Sequence, residues 1–416
     1  MSVRIIAFSG LRMRDRLFWG SAASEARRRL RFEHRAIVVF SNTFNFDIQS
    51  GVALRLPPRS MNRGSITVQS NGPARWKWLL LRLAVLLALL APETHAAEKD
   101  SPELRLGYFP NVTHAQALYA RATGEFEREI GARIRWVAFN AGPIAIESLF
   151  GDAVDATFVG PSPTINGYIK SRGEKFVIVA GSASGGAGLV VRKDSGIHSE
   201  ADFGGKTIAT PQLGNTQDVA ARTWFENHGY RLRDRGGNVT LICLSNPDQL
   251  TLFKKKQIDG AWTVEPWLAR LEVEGNGEMF FEERSLWPGG GYVTTHLILT
   301  RTYLADHRET IRKLLAALVE VTLRINSDKV AAAAILNGQL KAETGKSLKP
   351  AVLQKALARV EFTWDPLCAS LKQSAAAARR LGFIRKEPAL PGIYQLGLLN
   401  DVLKEKNLPP VEGPDS

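Results

Sequence analysis

The sequence predicts an α/β protein of two lobes, each built on a parallel or mixed sheet flanked by helices, with two hinge crossings between them. From Leu104 onward, short apolar runs alternate with amphipathic stretches in two successive series, and long helical patterns follow. Alternating strands and helices of this kind form sheets whose faces are covered by helices. The chain has 416 residues, of which 44% are hydrophobic and 23% charged, which is enough for a large core.

The first series predicts four strands separated by three helices, and the second predicts three strands, each followed by a helix. Thr113 is expected to be an N-cap, and Pro143 lies in a first helical turn, where a missing N–H costs little. In chain order, the strands and helices of the first series are 104–109, 113–122, 134–139, 143–150, 155–159, 162–171 and 176–180, and those of the second are 206–209, 216–228, 239–244, 247–255, 258–262 and 266–274.

The chain is expected to cross between the lobes near 189–192 and to return near 292–300, and two such crossings make a hinge. The predicted first lobe comprises residues 104–188 and 296–400, and the second comprises 189–295. Four helical patterns follow the return crossing and are expected to cover the first lobe. They span residues 308–327, 329–344, 350–359 and 368–381.

The segment 61–96 has the layout of a secretory signal peptide, because a basic region precedes an apolar stretch and a small-x-small cleavage signal ends at Ala96. The apolar stretch, residues 79–91, is interrupted only by Arg82. At about 1.5 Å per residue it covers roughly 20 Å, less than the ~30 Å hydrocarbon core of a bilayer. The pattern therefore favours cleavage over a membrane anchor and indicates a soluble periplasmic product.

Signal peptides begin close to the start of translation, whereas 75 residues precede the part of this pattern that begins at Trp76. Met61 opens a suitable basic region. We therefore interpret residues 1–60 as a mis-assigned or disordered extension.

Charge is distributed unevenly along the chain. Residues 1–96 carry 15 Lys and Arg against 5 Asp and Glu, so most of the net charge of +13 lies there, and the remainder is nearly balanced. Nucleic-acid binding by the body of the protein is therefore not expected. Cys243 and Cys368 are the two cysteines, and we expect two buried thiols, although an oxidising compartment is compatible with a disulfide.

Four segments share one pattern, in which a strand is followed by a turn rich in Gly, Pro, Asn, Ser or Thr and then by a helix. In open parallel sheets, ligands bind beyond the carboxyl ends of the strands, where such turns gather. Each turn also presents a helix N-terminus with unpaired N–H groups and a positive partial charge, which suits an anion. The four turns are 110–114, 140–143, 160–164 and 214–218.

Four longer segments of the chain carry a family resemblance. The segments GYFPNVTHAQAL, FNAGPIAIESLFGDAVDATFVGPSPTINGY, GKTIATPQLGNTQD and IDGAWTVEPW resemble the substrate-binding components of ABC importers for nitrate, sulfonate, taurine and bicarbonate. The resemblance extends from about residue 104 to 383. It implies the type II periplasmic-binding-protein fold, a small anionic ligand, importer membrane subunits as partners, and a monomer.

The resemblance also implies a set of ligand contacts, which are assigned by position. They are Asn111, Thr113, His114, Gly142, Pro143, Gly160, Pro161, Ser162, Ser184, Gly185, Asn215, Thr216, Gln217, Glu265, Trp267, Thr294 and Thr295.

Several of these side chains have alternative structural roles. His114 could form only a local hydrogen bond, and Trp267 could wall the cleft or pack within its lobe. A carboxylate would repel an anion, so Glu265 either bonds the backbone near the hinge or meets a positive group on the ligand. Asp218 is expected to interact with the helix dipole, and Trp262 to pack in the core.

No catalytic constellation is evident in the sequence. The seven histidines form no HxxxH or HExxH spacing, and there is no CxxC, Walker loop, GxSxG elbow or GxGxxG after a strand. No cofactor and no metal are expected. The alternative is a protein of the thiamine-pyrimidine-precursor type with the same fold, either a binding protein or an enzyme, but the signal peptide and the two cysteines disfavour the enzyme.

The sequence thus predicts a non-enzymatic binding protein for a small oxyanion. Sulfonates, including taurine, rank ahead of nitrate, with bicarbonate or an uncharged heterocycle behind. The predicted contact segments contain few basic residues, so binding is expected to depend on helix N-termini and neutral donors.

Overall fold

The computed structural model describes residues 103–385 and 390–413, and the predicted extension and signal peptide lie outside these residues. The described chain forms two mixed sheets flanked by helices. In chain order the strands are β1 (Glu103–Tyr108), β2 (Arg133–Ala138), β3 (Ala156–Val159), β4 (Phe176–Gly185), β5 (Ala187–Arg192), β6 (Thr207–Thr210), β7 (Thr240–Cys243), β8 (Gly260–Val264), β9 (Gly277–Glu282), β10 (Val293–Thr300) and β11 (Val360–Phe362).

The helices agree with the predicted α/β alternation. They are α1 (Ala115–Thr123), α2 (Glu125–Ile130), α3 (Gly142–Phe150), α4 (Pro161–Lys170), α5 (Thr216–Asn227), α6 (Asn246–Lys254), α7 (Trp267–Gly275), α8 (Arg301–Asp306), α9 (Arg308–Ser327), α10 (Lys329–Thr344), α11 (Pro350–Arg359), α12 (Cys368–Arg380) and α13 (Gly397–Glu405). Among the described residues, no helix is both long and apolar enough to span a bilayer.

The first sheet has the strand order β11–β4–β10–β3–β1–β2. Strand β1 pairs in parallel with β2 and β3, whereas β10 lies antiparallel between β3 and β4. The second sheet has the order β7–β6–β8–β5–β9, in which β5 is antiparallel to both neighbours. The fold class is therefore confirmed as mixed α/β with two sheets, and β4 is not paired with β3 because the returning strand β10 separates them.

The first lobe's largest core lies between the first sheet and the helices predicted to cover it. The periodicity is clear in α9, where apolar side chains recur on one face and are fully buried, among them Leu314, Leu318 and Ile325. The bounds of α9, α10 and α11 coincide with the predicted helices 308–327, 329–344 and 350–359.

Two local expectations are wrong, the N-cap role of Thr113 and the burial of the two thiols. Thr113 is not an N-cap, because it lies inside a short 3-10 turn that precedes α1. In addition, strands β9 and β11 and helices α2, α8 and α13 lie in segments for which no element was predicted, and each has nine residues or fewer. The cysteines are free thiols as expected, but Cys243 is exposed and Cys368 is only partly buried. Trp262, by contrast, is fully buried as predicted.

The chain passes from the first sheet to the second through one residue, Gly186, and returns between β9 and β10. Gly185 and Gly186 both have positive φ, 74° and 69°. A Cβ at Gly186 would collide with the side chain of Val360 in β11. This crossing therefore needs glycine for two separate reasons, backbone conformation and close packing. The lobe bounds at 188/189 and 295/296 stay a prediction.

Replacing Gly186 with Ala should lower the free energy of unfolding by clearly more than replacing Gly131 with Ala. Both glycines have positive φ, but a Cβ at Gly131 would meet nothing within 4 Å. Gly131→Ala thus isolates the backbone cost of about 1 kcal/mol, and Gly186→Ala adds the collision with Val360. Urea titrations of both variants measure the difference, and equal losses would contradict the packing argument.

Candidate functional site: a donor-lined cavity between the sheets

A cavity of about 30 Å³ lies where the carboxyl ends of strands from both sheets meet. On the scale on which one water needs roughly 10–15 Å³, it admits two or three water-sized groups. Its lining residues are Phe109, Asn111, Thr113, His114, Asn140, Ala141, Gly142, Gly160, Pro163, Pro211, Asn215, Thr216, Gln217, Asn246, Val264, Thr294 and Thr295. None of these described lining residues is Lys, Arg, Asp or Glu.

Four helices begin at this cavity. Two belong to the first sheet's side, α3 and α4, and two to the second sheet's side, α5 and α6. Each has nine or more residues, so each carries a developed dipole, and the first N–H groups of a helix have no partner within it. The four helix N-termini therefore give the cavity a positive potential, although its described lining residues include no Lys or Arg.

The turn before α5 is held rigidly by Asp218. Its Oδ2 accepts hydrogen bonds from Gly214 N at 2.9 Å and from Arg222 Nε at 2.9 Å, and its Oδ1 accepts one from Thr210 Oγ1 at 3.0 Å. Asn215 Oδ1 in turn caps the helix by accepting from Asp218 N at 2.8 Å. The buried carboxylate therefore fixes the loop internally, in addition to facing the helix dipole.

Three side-chain amides at the cavity have their carbonyl oxygens already occupied by protein donors. Trp267 Nε1 donates to Asn111 Oδ1 at 3.0 Å, and Thr263 Oγ1 donates to Asn246 Oδ1 at 3.0 Å. Asn215 Nδ2 donates to Gln217 Oε1 at 3.3 Å. Because an amide has one accepting and one donating end, Asn111, Gln217 and Asn246 are left with NH₂ groups to offer a ligand.

His114 is also left as a donor. Its Nδ1 accepts from the backbone N–H of Phe109 at 3.3 Å, and its ring stacks on Phe109 with centroids 4.4 Å apart. Burial lowers the pKa of His114 to about 3, so the imidazole is neutral at physiological pH. With Nδ1 accepting, the single proton resides on Nε2, which donates.

Two hydroxyls complete the set. The Oγ1 atoms of Thr216 and Thr295 are buried and make no hydrogen bond in the described structure. A buried hydroxyl without a partner costs about 1–3 kcal/mol, so both are placed to gain from a ligand. Thr294 differs, because its Oγ1 donates to Gly185 O at 2.6 Å and so supports the crossing.

The structure brings most of the predicted contacts together at the cavity and leaves others outside its lining. Those lining it are Asn111, Thr113, His114, Gly142, Gly160, Asn215, Thr216, Gln217, Thr294 and Thr295; those outside are Pro143, Pro161, Ser162, Ser184, Gly185, Glu265 and Trp267. Lining residues that sequence reasoning did not name include Asn140, Ala141 and Pro163, which lie in the predicted turns. Asn246 follows β7 in the same strand–turn–helix pattern, which could have identified it.

Glu265 joins the two sides of the molecule at the crossing and does not line the cavity. It is fully buried, its N–H donates to Gly186 O at 2.8 Å, and its carbonyl accepts from Val112 N at 3.1 Å. Its carboxylate accepts from Ala269 N at 3.1 Å and from Arg359 Nη1 at 3.1 Å. These contacts are those expected of a carboxylate that bonds backbone near the hinge.

Arg359 extends this link, because it also pairs with Glu272 at 2.6 Å and Glu282 at 3.2 Å. Burial raises the pKa of Glu265 to about 7, and the Arg359 guanidinium opposes that rise. Trp267 acts next to this cluster: it donates to Asn111 and lies 4.6 Å from the Arg270 guanidinium, so it orients a cavity residue from outside the cavity.

The described residues contain no cluster of three or more His, Cys, Asp or Glu side chains that could hold a metal ion.

The two mixed sheets and the cavity between them define the bilobal fold of periplasmic binding proteins. A family model described as the NMT1-like family matches residues 97–337. The match covers more than half of the chain, and the protein belongs to this family. The family resemblance inferred from the sequence is thereby confirmed.

Two curated relatives carry names that describe binding. The chain is 28% identical over 208 residues to the putative aliphatic sulfonates-binding protein of Bacillus subtilis (strain 168), covering 48% of this chain and 60% of the relative. It is 24% identical over 196 residues to the taurine-binding periplasmic protein of Escherichia coli (strain K12), covering 47% and 58%. The chain therefore aligns with about three fifths of the length of these relatives.

Among solved structures, the periplasmic nitrate-binding protein of Synechocystis PCC 6803 superposes with a TM-score of 0.64 at 13% identity. The match covers 74% of this chain and 90% of that protein. At this identity the likeness shows the shared fold.

The neutral state of His114 predicts a measurable pH dependence of stability. Below about pH 6.5 the unfolded imidazole binds a proton, whereas the folded one does not until about pH 3. Stability therefore falls as the pH drops through this window. In His114→Gln the fall in unfolding free energy between pH 6 and pH 4 should be shallower than in the wild type, as measured by urea titration. Parallel curves would show that His114 is charged in the folded state.

Proposed function

We propose that this protein is the solute-binding component of an ABC importer and that it captures a small oxyanion, a sulfonate first and nitrate second. In this proposal the protein works in the periplasm as a monomer after removal of an N-terminal signal peptide, and importer membrane subunits receive the loaded form.

The observation that carries the proposal is the one-sided hydrogen bonding of the cavity. The amide oxygens of Asn111, Gln217 and Asn246 and the Nδ1 of His114 are occupied by protein donors, while their N–H groups remain for a ligand. A ligand that only accepts hydrogen bonds satisfies such a site, and sulfonate and nitrate oxygens only accept. Hydrogen bonds to a charged group are also stronger than neutral ones.

The same pattern ranks the competing ligands. Bicarbonate and an aminopyrimidine each carry donors of their own, and these would have to share the hydroxyl oxygens of Thr216 and Thr295, because the three amide oxygens and His114 Nδ1 already accept from protein donors. The ammonium group of taurine would meet no carboxylate at the cavity, because Glu265 is engaged by Arg359 and Ala269. A doubly charged anion would be more costly to desolvate without a cation. Simple monovalent sulfonates therefore fit better than aminosulfonates.

Closure of the lobes around the ligand is supported by contacts across the cleft. The hydroxyl of Thr216, at the start of α5, lies against Gly160 at the end of β3, so closely that a Cβ at Gly160 would collide with it. Arg235 Nη2 donates to Leu381 O at 2.8 Å, also between the two sides. Contacts that bridge the two sides are compatible with a closed form, and a closed, loaded form is what an importer must distinguish.

A catalytic role is not part of the proposal. His114 is the titratable group at the cavity, and an imidazole whose pKa is about 3 is a weak base at neutral pH. The relatives whose names describe a function are named as binding proteins.

A thermal-shift screen of the purified protein tests the proposal, with methanesulfonate, nitrate, taurine, sulfate, bicarbonate and an aminopyrimidine as probes. A ligand at 100 times its Kd adds about 2.7 kcal/mol of stability. We expect methanesulfonate and nitrate to stabilise the protein, and Thr216→Val to weaken methanesulfonate by about 1.5–3 kcal/mol, roughly ten- to hundredfold in Kd.

Thr223→Val is the matched control, because Thr223 lies on the same helix and its hydroxyl is also buried without a partner, but it does not line the cavity. Its methanesulfonate affinity should equal that of the wild type. Stabilisation by the aminopyrimidine alone would overturn the anion proposal and favour the thiamine-precursor type. Equal effects of the two threonine variants would remove Thr216 from the site.

A further inference from the structure

A second cavity, of about 450 Å³, lies between α5, α12 and the turn that follows β9. Its volume is within the range of small-molecule sites, roughly 300–1,000 Å³. Two indole rings line it, those of Trp224 on α5 and Trp287 in the turn, and so does the hydroxyl-bearing Thr223, whose Oγ1 is buried and makes no hydrogen bond in the described structure. Unlike the first cavity, at the strand ends, this one has a carboxylic acid among its lining residues, Glu283. The two cavities therefore offer a ligand different chemistry.

Glu283 is a buried acid without a counter-ion. Its side chain is 1% exposed, and within the described part of the chain no Lys, Arg or His pairs with it, since the neighbouring Arg284 lies 3.7 Å from Glu282 instead. Its Oε2 accepts a hydrogen bond from Trp262 Nε1 at 2.8 Å. Burial raises the pKa of Glu283 to about 7, although hydrogen bonds from Trp262 and Trp287 oppose that rise. Acidic side chains are almost never fully buried unless they are paired, and a carboxylate has about four acceptor positions, so Glu283 can still accept from a cationic donor.

The two indole rings are held in position by stacking. Trp287 stacks on Tyr292 with centroids 5.2 Å apart and an interplanar angle of 4°, and Trp224 stacks on His228 with centroids 4.1 Å apart. Indole rings bind other aromatic groups and also attract cations, because the ring carries negative charge on its faces. The cavity thus combines a buried carboxyl group with aromatic surfaces, and both favour a positively charged ligand.

Two other lining residues can carry positive charge, Arg380 and His228, and both are exposed. His228 is already engaged, because its Nε2 lies 3.5 Å from Glu200 and its Nδ1 lies 2.7 Å from Trp224 O. Water and salt screen the charge of an exposed guanidinium, whereas a buried carboxylate is screened much less. The preference of the cavity is therefore set mainly by Glu283.

We infer that the second cavity is a separate binding site for a small aromatic cation, an arylalkylammonium, whose ammonium group pairs with Glu283 while its ring lies against Trp224 and Trp287. The inference goes beyond the proposed function and does not depend on it, because it requires no ligand in the first cavity. The two sites have opposite preferences: the first offers N–H donors to an acceptor, and the second offers a carboxyl group to a donor.

Calorimetric titration of the purified protein at pH 8 tests the inference, with 1-naphthylmethylammonium as the probe. At this pH the carboxyl group of Glu283 is ionised and the alkylamine is protonated. 1-Naphthalenemethanol provides the same ring without the charge, and 1-naphthoate provides the opposite charge. We expect the ammonium compound to bind roughly tenfold or more tightly than the alcohol, because hydrogen bonds to charged groups are stronger than neutral ones, and 1-naphthoate to bind most weakly.

Glu283→Gln should remove the preference for the cation. The ammonium compound should lose roughly tenfold in affinity and the alcohol should keep its affinity, because the glutamine oxygen can still accept from Trp262. Glu278→Gln is the matched control, since Glu278 is an exposed acid on β9 that does not line the cavity. It removes the same charge and should bind both compounds as the wild type does.

A second pair of variants tests the location and does not depend on the folding of Glu283→Gln. Ala377→Phe places a ring in the second cavity and should weaken both the ammonium compound and the alcohol, because Ala377 lines that cavity and not the first. Ala369→Phe is its control, since Ala369 is an exposed residue of the same helix that lines neither cavity.

A preference for the cation that is lost in Glu283→Gln alone, together with weaker binding of both compounds in Ala377→Phe, supports the inference. It is overturned if none of the naphthyl compounds binds, if the alcohol or 1-naphthoate binds as tightly as the ammonium compound, if Glu278→Gln loses as much as Glu283→Gln, or if Ala377→Phe has no effect. None of these results bears on methanesulfonate binding, so failure of the inference and failure of the proposed function are observed separately.

Discussion

The proposed function imposes one central constraint on the structure: an anion must leave water for a cavity whose described lining residues include no cation. Desolvating an ion without compensation costs many kcal/mol, so the site has to supply strong donors that are already in place. It does so by engaging the accepting atoms of the cavity side chains with protein donors. Trp267, Thr263 and Phe109 each donate a hydrogen bond to the accepting atom of a cavity side chain. The N–H group of that side chain is then left to donate to a ligand. In the proposed function, these supporting hydrogen bonds leave N–H donors facing the cavity, and such donors favour an anionic ligand.

The same layer also holds the two halves of the molecule. Trp267 begins α7 directly after the Glu265 turn, and Glu265 contacts Gly186 at the crossing, Val112 beside the cavity and Arg359 on α11. Glu265 and Trp267 therefore link the cavity donor Asn111 to the crossing at Gly186 through direct contacts. A ligand that draws the donors together is consequently linked to the hinge through direct contacts and needs no distant relay.

Much of this architecture could be predicted from the sequence because it depends on local signals. The apolar period determines α9 to α11 to the residue, and the turn chemistry after β1, β2, β3 and β6 places most cavity residues. Contacts between residues far apart in the sequence could not be predicted. The insertion of β10 between β3 and β4 is a matter of strand pairing, and the partner of Glu265 lies 94 residues away at Arg359. The capping of the amide oxygens likewise joins residues up to 156 positions apart, as in Trp267 and Asn111.

A crystal structure of the protein with methanesulfonate bound would show directly whether neutral donors hold the anion. We expect the sulfonate oxygens in the first cavity, within about 3.2 Å of the Thr216 and Thr295 hydroxyls and of amide or backbone N–H groups at the helix starts, with no Lys or Arg nitrogen in contact. An anion held instead by a basic side chain, or seated away from the starts of α3 to α6, would contradict the claim that neutral donors bind the ligand.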